Sequence, residues 1–405
     1  MAQMHGSLDA VGDGLARGWA QDLNDPLTPQ VIEVFADGEL AVKGIANGFR
    51  EDLREAGVGD GRAAFEIVLP QRLRDGQPHK IETRAGGTAA LAGSPRIMVW
   101  QPPFTARDFD ARAPWIDHAE SAKEIERRLT AGSILPSDAA LLSQWREDGV
   151  VILPGAIDPS LIDRLCQDID RAWCERPPVR INVLGLGERD MGEVGDRADL
   201  PSTTYRLMNF HDFSDAALEI ILLPKLVRFL NLIFNARPVA MQTLLFENGS
   251  EQRGHMDFAY VHTKNPAYLA AAWVACEDVC ADSGPLFYYM ASHRLIPKYD
   301  FGDGNLLAFG AGPHTTAFED YLEETAVKLG LERRVYHPRK GDVLLWHSAL
   351  LHGGSPRTNP DRSRRSLVAH YSIEEAYPED SRSPGKPPRV IERNGGVYYA
   401  RDNKS

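Results

Sequence analysis

A mainly β fold in two parts is the expectation from this sequence, and three patterns carry it. Short apolar runs recur at close spacing through the first hundred residues, the rhythm of a small β-sandwich-like domain. Helical periodicity then fills much of 118–175 and returns over 215–234. From Val239 onward the runs are again short and β-like. They bring a His-x-Asp pair, apolar core strands, a second His and an Arg in the order that suits a double-stranded β-helix, that is, a jelly-roll or cupin-like barrel with flanking helices. The expected boundaries are a β accessory domain over 1–100, a linker over 101–117, and the jelly-roll with its helical scaffold over 118–405.

Each element has a local reason. VIEVF and ELAVKG flank Asp37-Gly38, a hairpin signal because both turn positions tolerate positive φ. WQPPFTARDFDARAPW (100–115) breaks both periodicities with Pro and aromatics, hence the boundary there. After Pro136, Ser137 or Asp138 is placed to cap a helix that Gly149 stops, and VVILPG reads as a short strand. Asp158-Pro159 opens an amphipathic helix with Leu161, Leu165 and Ile169 on one face. The stretch 176–204 is Gly- and charge-rich without periodicity, and DAALEIILLPKLVRFLNLIF reads as one further helix.

Composition excludes more than it assigns. With 43% hydrophobic and 25% charged residues among 405, the chain has ordinary globular proportions rather than those of a disordered or fibrous protein. The net charge of −12 argues against a general partner in nucleic acid or anionic membrane. No run approaches the roughly 20 apolar residues of a spanning helix. The first ten residues lack the basic and apolar regions of a signal peptide. Four cysteines without paired CxxC spacing read as reduced residues of a cytoplasmic protein.

The chemistry is concentrated in RGHMDFAYVHT. His255 and Asp257, two apart, share one face if they lie on a strand. An imidazole and a carboxylate so placed are two thirds of a facial triad for non-haem Fe(II). Alone the pair is weak, because short His/Asp spacings are common. His352, in GDVLLWHSALLHGG, offers a second imidazole, and Arg364 opens the arginine-bearing strand RRSLVAHYS. His347 precedes His352 by five, an odd spacing that turns it to the opposite side of a regular strand. Gln242 and Thr243, on the strand before His255, are expected to line the pocket. The remaining histidines, His370 among them, are expected to be structural or surface residues.

Residues from about 137 to 372 resemble the phytanoyl-CoA dioxygenase family of Fe(II)/2-oxoglutarate-dependent oxygenases. REDGVVILPGAIDPSLIDRL, HMDFAY, AAWVACEDVCADSGPLFYYMASHR and GDVLLWHSALLHGGSPRTNPDRSRRSLVAHYS carry the likeness, in order and spacing. The resemblance implies His255, Asp257 and His352 as iron ligands and Arg364 as partner of the distal carboxylate of 2-oxoglutarate, with O2 completing the cosubstrates. Arg365 is equally basic and adjacent, and Arg362 is a third choice; parity with Ser366 and Val368 favours Arg364. Trp273 matches a family tryptophan near the cosubstrate, and Arg206 stands roughly where relatives supply a second cation. Related halogenases lack the carboxylate of Asp257, so its presence points to hydroxylation, with desaturation or epimerisation open.

Three readings compete. The first is a hydroxylase of a small molecule that releases succinate and CO2. The second is a jelly-roll that binds without turnover, and the third a cupin-like metal hydrolase with no need of the arginine. Covering segments that would set specificity are 176–204, 258–268 and the 299–334 insertion with its Gly-rich FGDGNLLAFGAG. GWAQD, FADG and GDGRAAFEIVLP resemble β modules of bacterial glycan-processing enzymes, which implies a glycan-related substrate; the blander expectation is a domain that packs or mediates oligomers.

Overall fold

Alternating burial along seven short strands builds the first unit, Met1–Pro103. They are β1 (Met4–Gly12), β2 (Leu15–Asp22), β3 (Gln30–Ala36), β4 (Glu39–Ala46), β5 (Ala64–Val68), β6 (Pro78–Ala85) and β7 (Arg96–Val99), with a short helix α1 (Glu51–Glu55) before β5. In the computed structural model they form sheets of order β1-β2-β5 and β4-β3-β6-β7. Alternate residues of β2, β3, β5 and β6, with Leu8 of β1, enter one core, where Leu8, Ile32, Val34, Phe65, Ile67 and Ile81 meet. The Asp37-Gly38 hairpin forms as expected: Ala36 pairs with Glu39, and the two turn residues take φ of 53° and 91°. The structure describes residues 3–400 apart from 13, 74, 88–89, 100–103, 176, 178, 180, 186–189, 195–203, 302–305, 307–312 and 379–388.

The second unit, Phe104–Ser405, begins earlier than the expected linker end. Residues 101–103 lie outside the described ones, but 104–117 are not a linker. Thr105 caps α2 (Ala106–Ala111) through a reciprocal bond with Asp108, and Trp115–Asp117 forms a 3-10 turn. Phe104 and Phe109 are buried against Met256, Phe258 and Phe318, so these two aromatics of the sequence break are core residues.

Helices α3 (Ser121–Thr130), α4 (Pro136–Asp148) and α5 (Pro159–Cys174) follow, with β8 (Val150–Leu153) between the last two. The cap of α4 differs in detail from expectation. Leu135 is the N-cap residue, Pro136 starts the helix, and the Asp138 carboxylate accepts the Leu135 N–H at 2.8 Å. Gly149 ends α4 at φ 74°. Asp158 caps α5, which buries Leu161, Leu165 and Ile169; each such side chain contributes roughly 1.5–3 kcal/mol. Within 176–204, expected to be irregular, β9 (Asn182–Gly185) and β10 (Asp190–Glu193) pair with each other. β11 (Tyr205–Met208) comes next. The single helix expected over 215–234 is two, α6 (Asp215–Ile221) and α7 (Pro224–Phe234), because Pro224 can only begin a helix.

The remaining strands are β12 (Pro238–Phe246), β13 (Ala270–Ala275), β14 (Leu286–Tyr289), β15 (Arg333–Val335), β16 (Val343–His347), β17 (His352–Gly354), β18 (Ser366–Ile373), β19 (Arg389–Arg393) and β20 (Gly396–Ala400). Helices α8 (Ser292–Leu295) and α9 (Pro313–Lys328) lie between β14 and β15; the Gly-rich part of this insertion falls outside the described residues. The large sheet runs β10-β9-β11-β12-β18-β13-β16-β8, with β20 on β12 and β19 on β20; the small sheet runs β15-β14-β17, to which His255 adds one bridge at His352. Counting β12, the His255 segment and β13 to β18 as strands 1 to 8, the two sheets read 1-8-3-6 and 2-7-4-5. That interleaving is a jelly-roll. Alternation along β13 explains its continuous apolar sequence. Ala271, Trp273 and Ala275 point into the roll, while Ala270, Ala272 and Val274 meet the helices outside.

Candidate metal centre

His255 and Asp257 do not share a strand, contrary to the sequence expectation. His255 makes a single antiparallel bridge, giving its N–H to His352 O at 2.9 Å and accepting the His352 N–H at 3.0 Å. Asp257 then opens a 3-10 turn, Asp257–Ala259. The turn, rather than strand parity, swings the carboxylate back beside the imidazole. His255 Nε2 and His352 Nε2 each lie 3.6 Å from Asp257 Oδ1, and all three residues are buried. Their ligating atoms fall within 4.8 Å of one another, the one such metal-sized group among the described residues.

The surroundings leave each of the three one atom free to ligate. His255 Nδ1 donates to Arg253 O at 2.8 Å and His352 Nδ1 to Leu350 O at 3.0 Å, so both Nε2 atoms present lone pairs. Trp346 Nε1–H donates to Asp257 Oδ2 at 2.7 Å, leaving Oδ1 turned to the histidines. Burial, helped by His352 beside it, pushes the His255 imidazole down to about 3, so it is neutral at ordinary pH. Burial alone would raise the Asp257 carboxyl, but the imidazoles of His352, His370 and His255 outweigh it and hold the group low. Two imidazoles with Nε2 turned inward and one carboxylate form a donor set suited to Fe(II).

These residues line a cavity between the two sheets, about 430 Å³ with its open mouth included. Phe246, Trp273, Trp346 and Val368 form walls from the large sheet, and Leu286 and Gly353 from the small one. Arg364 enters from the end nearest β18. Its guanidinium sits 5.5 Å from the Trp273 ring and 5.7 Å from that of Phe246, donates to Gly284 O at 3.2 Å, and leaves Nε without a hydrogen-bond partner. Burial pushes it down to about 10. A cation enclosed by apolar walls and short of partners fits an anionic ligand.

The other arginines face elsewhere. Arg365 turns outward to Glu247 at 3.2 Å and Asp170 at 3.0 Å, and Arg362 pairs with Asp282. Glu247 sets this choice: its carboxylate takes Arg365 while its backbone carbonyl accepts the Arg364 N–H at 2.9 Å.

Of the pocket residues expected from sequence, Trp273 lines the cavity, whereas Thr243 does not. Thr243 bonds His211 Nδ1 at 2.9 Å on the far face of β12, since faces alternate and Leu244 and Phe246 point inward. Gln242 shares the inward parity but stands behind His370, with Nε2 3.2 Å from His370 Nδ1. Arg206 sits directly across from Phe246 in the β11–β12 ladder, on the cavity's side without lining it, and its charge is felt at His255. His347 ends β16 in the large sheet and pairs with Asp117 at 3.2 Å, away from the cavity.

Ser250, Gln252, Trp346 and His370 line the cavity unannounced by the sequence reading. His370, expected at the surface or in a structural role, is buried with Nε2 3.4 Å from Asp257 Oδ2. A signal for it existed: positions 364, 368 and 370 share one parity.

A family model described as phytanoyl-CoA dioxygenase (PhyH) matches residues 145–366, more than half of the chain. The chain belongs to the phytanoyl-CoA dioxygenase family. As a member it is an Fe(II)/2-oxoglutarate-dependent oxygenase, a class that uses Fe(II), 2-oxoglutarate and O2. The match in this phytanoyl-CoA dioxygenase family member contains His255, Asp257, His352 and Arg364 and stops before His370. No curated protein matches the chain significantly. Among solved structures it is similar to the non-heme alpha ketoglutarate dependent epimerase SnoN from nogalamycin biosynthesis, with 22% identity, 58% of this chain and 83% of that chain covered, and TM-score 0.42. The carbocyclase SnoK from the same biosynthesis gives 15% identity over 66% and 98%, with TM-score 0.46. EctD from S. alaskensis, with 2-oxoglutarate and 5-hydroxyectoine, gives 16% over 65% and 80%, with TM-score 0.43. Likenesses this distant carry no substrate from one chain to another. No helix among the described residues is long and apolar enough to cross a membrane.

Proposed function

We propose that His255, Asp257 and His352 hold Fe(II), that Arg364 anchors 2-oxoglutarate, and that the enzyme hydroxylates an unactivated C–H bond of a small molecule. The observation that carries this is the pairing, in one cavity, of a three-donor centre with a buried arginine lacking a partner at Nε. A hydrolytic metal site has no need of that cation. A binding protein without turnover has no need of two Nδ1–H bonds that prepare both imidazoles as ligands.

The chain's own groups do the positioning. Burial keeps the His255 imidazole neutral, and backbone carbonyls fix both rings. The Arg364 fork matches a carboxylate in two parallel bonds, a geometry lysine cannot supply. Trp273 and Phe246 flank the guanidinium, excluding water and so strengthening that pair. When bound, Fe(II) with 2-oxoglutarate and O2 supplies C–H oxidation coupled to loss of CO2 and release of succinate. Trp273 is then a wall of the cosubstrate site. Gln242 and Arg206 act from just outside it, on Asp257 through His370 and on the charge at the cavity edge.

Residues 1–103 serve in this reading as an accessory domain that brings a glycan-related or other cytoplasmic metabolite, or a second copy of the chain, to the oxygenase. The test is succinate formation from 2-oxoglutarate with Fe(II) and O2, followed by 18O2 labelling of the product. Succinate that depends on His255 and Asp257, with label in the product, is the expected result. Turnover without label means desaturation or epimerisation, and no succinate overturns the reading.

A further inference from the structure

We propose that Gln242 is a positioning residue for the metal centre, acting through the tautomer of His370 on the carboxylate of Asp257. The inference rests on the Fe(II) reading above and deepens it. His370 is buried on β18, with its ring between Gln242 and Asp257. Its Nε2 has no hydrogen-bond partner and lies 3.4 Å from Asp257 Oδ2. Its Nδ1 lies 3.2 Å from Gln242 Nε2. The Gln242 amide NH2 can only donate, so its contact makes His370 Nδ1 the acceptor and places the ring hydrogen on Nε2. A lone pair at Nε2 would face the negative oxygen, whereas an N–H there is attracted to it, so the carboxylate favours the same tautomer.

The consequence falls on Asp257. Oδ2 already accepts the Trp346 indole N–H at 2.7 Å, and the His370 N–H adds a second positive dipole from another strand. Together they hold Oδ2 away from the histidine pair and leave Oδ1, 3.6 Å from both Nε2 atoms, as the ligating oxygen. Groups that orient a metal's carboxylate in this way are worth roughly 10–100-fold in metal affinity. Gln242 reaches the centre through one hydrogen bond to His370 and that ring's 3.4 Å contact with Asp257, without touching a ligand. In sequence it is simply a polar residue of MQTLLF that shares the parity of the inward apolar residues Leu244 and Phe246.

The experiment compares anaerobic Fe(II) binding by wild type, Gln242→Leu, His370→Gln and the double variant, by titration calorimetry, with the melting temperature of each metal-free protein. Leu removes the donor that fixes the tautomer at nearly constant volume. A Gln at position 370 carries its own N–H toward Asp257 and no longer depends on residue 242. The expected result is a roughly 10–100-fold weaker Fe(II) affinity for Gln242→Leu with the metal-free melting temperature unchanged. His370→Gln, alone or with Gln242→Leu, recovers most of the wild-type affinity. Wild-type affinity in Gln242→Leu overturns the proposal, as does a double variant no better than Gln242→Leu. Should Gln242→Leu not fold, His370→Gln against His370→Phe decides: equal losses overturn the proposal. Failure of the wild type to bind Fe(II) overturns the metal reading itself, which is a separate outcome.

Discussion

Arg364 and Arg365 are adjacent and equally basic, and just before β18 the fold sends them to opposite sides. Glu247 takes the outward one, and Trp273 and Phe246 enclose the inward one. Charge-assisted hydrogen bonds are worth about 1.5–3 kcal/mol each. Arg364→Ala should therefore weaken 2-oxoglutarate binding roughly 10–100-fold, with Fe(II) affinity unchanged, by calorimetry. Arg365→Met should leave 2-oxoglutarate affinity at the wild-type level, because its ion pairs face away from the cavity. The reverse pattern would make Arg365 the anchor. Parity with Val368 made Arg364 legible in the sequence, and the same parity pointed to His370. Ser250 and Gln252 were not legible, because they sit on an irregular approach to His255 that obeys no period. Thr243 was misplaced because adjacent polar residues cannot both face one cavity from a strand.

At the scale of elements, local signals were read well where one residue dictates the backbone. Gly149 ends α4 in a left-handed conformation, and a Cβ there would meet the His293 ring at 2.4 Å. Gly149→Ala should cost about 1–3 kcal/mol, read as a lower denaturation midpoint at unchanged m-value. Leu165→Ala on the buried face of α5 should cost about 2–5 kcal/mol by the same measurement.

In the first unit, His79 lies between Asp37 and Asp75, at 2.7 and 3.0 Å, beneath the β3–β4 hairpin. Hydrogen bonds to Asp37, then Asp75, raise its imidazole above the ordinary 6.5. That stabilisation is fully present below about 6.5, the unfolded value. It is lost as pH rises through the raised folded value. The unit's melting temperature should fall over that window, and His79→Asn should flatten the dependence. The misjudged element nearest the metal centre is the His255 segment. Its strand character reduces to a single bridge to a residue nearly a hundred positions away, a tertiary pairing that no local period records.

For the whole molecule, the division into Met1–Pro103 and Phe104–Ser405 confines every cavity-lining residue to the second unit. Removing 1–103 should leave Fe(II) and 2-oxoglutarate affinities unchanged and alter only turnover of the native substrate. Equal loss of cosubstrate binding would contradict that separation. Metal should stabilise the second unit alone: at a hundredfold excess over its dissociation constant the gain is about 2.7 kcal/mol. A chelator should therefore lower one melting transition and spare the other. The most direct test of the central claim is anaerobic titration of the metal-free protein with Fe(II) and 2-oxoglutarate, followed through the visible iron-to-2-oxoglutarate charge-transfer absorption. The account predicts a band that requires both additions, is absent in His255→Ala, needs more 2-oxoglutarate in Arg364→Ala, and decays with succinate release when O2 is admitted. No band in the wild type, and no succinate on adding O2, would contradict it.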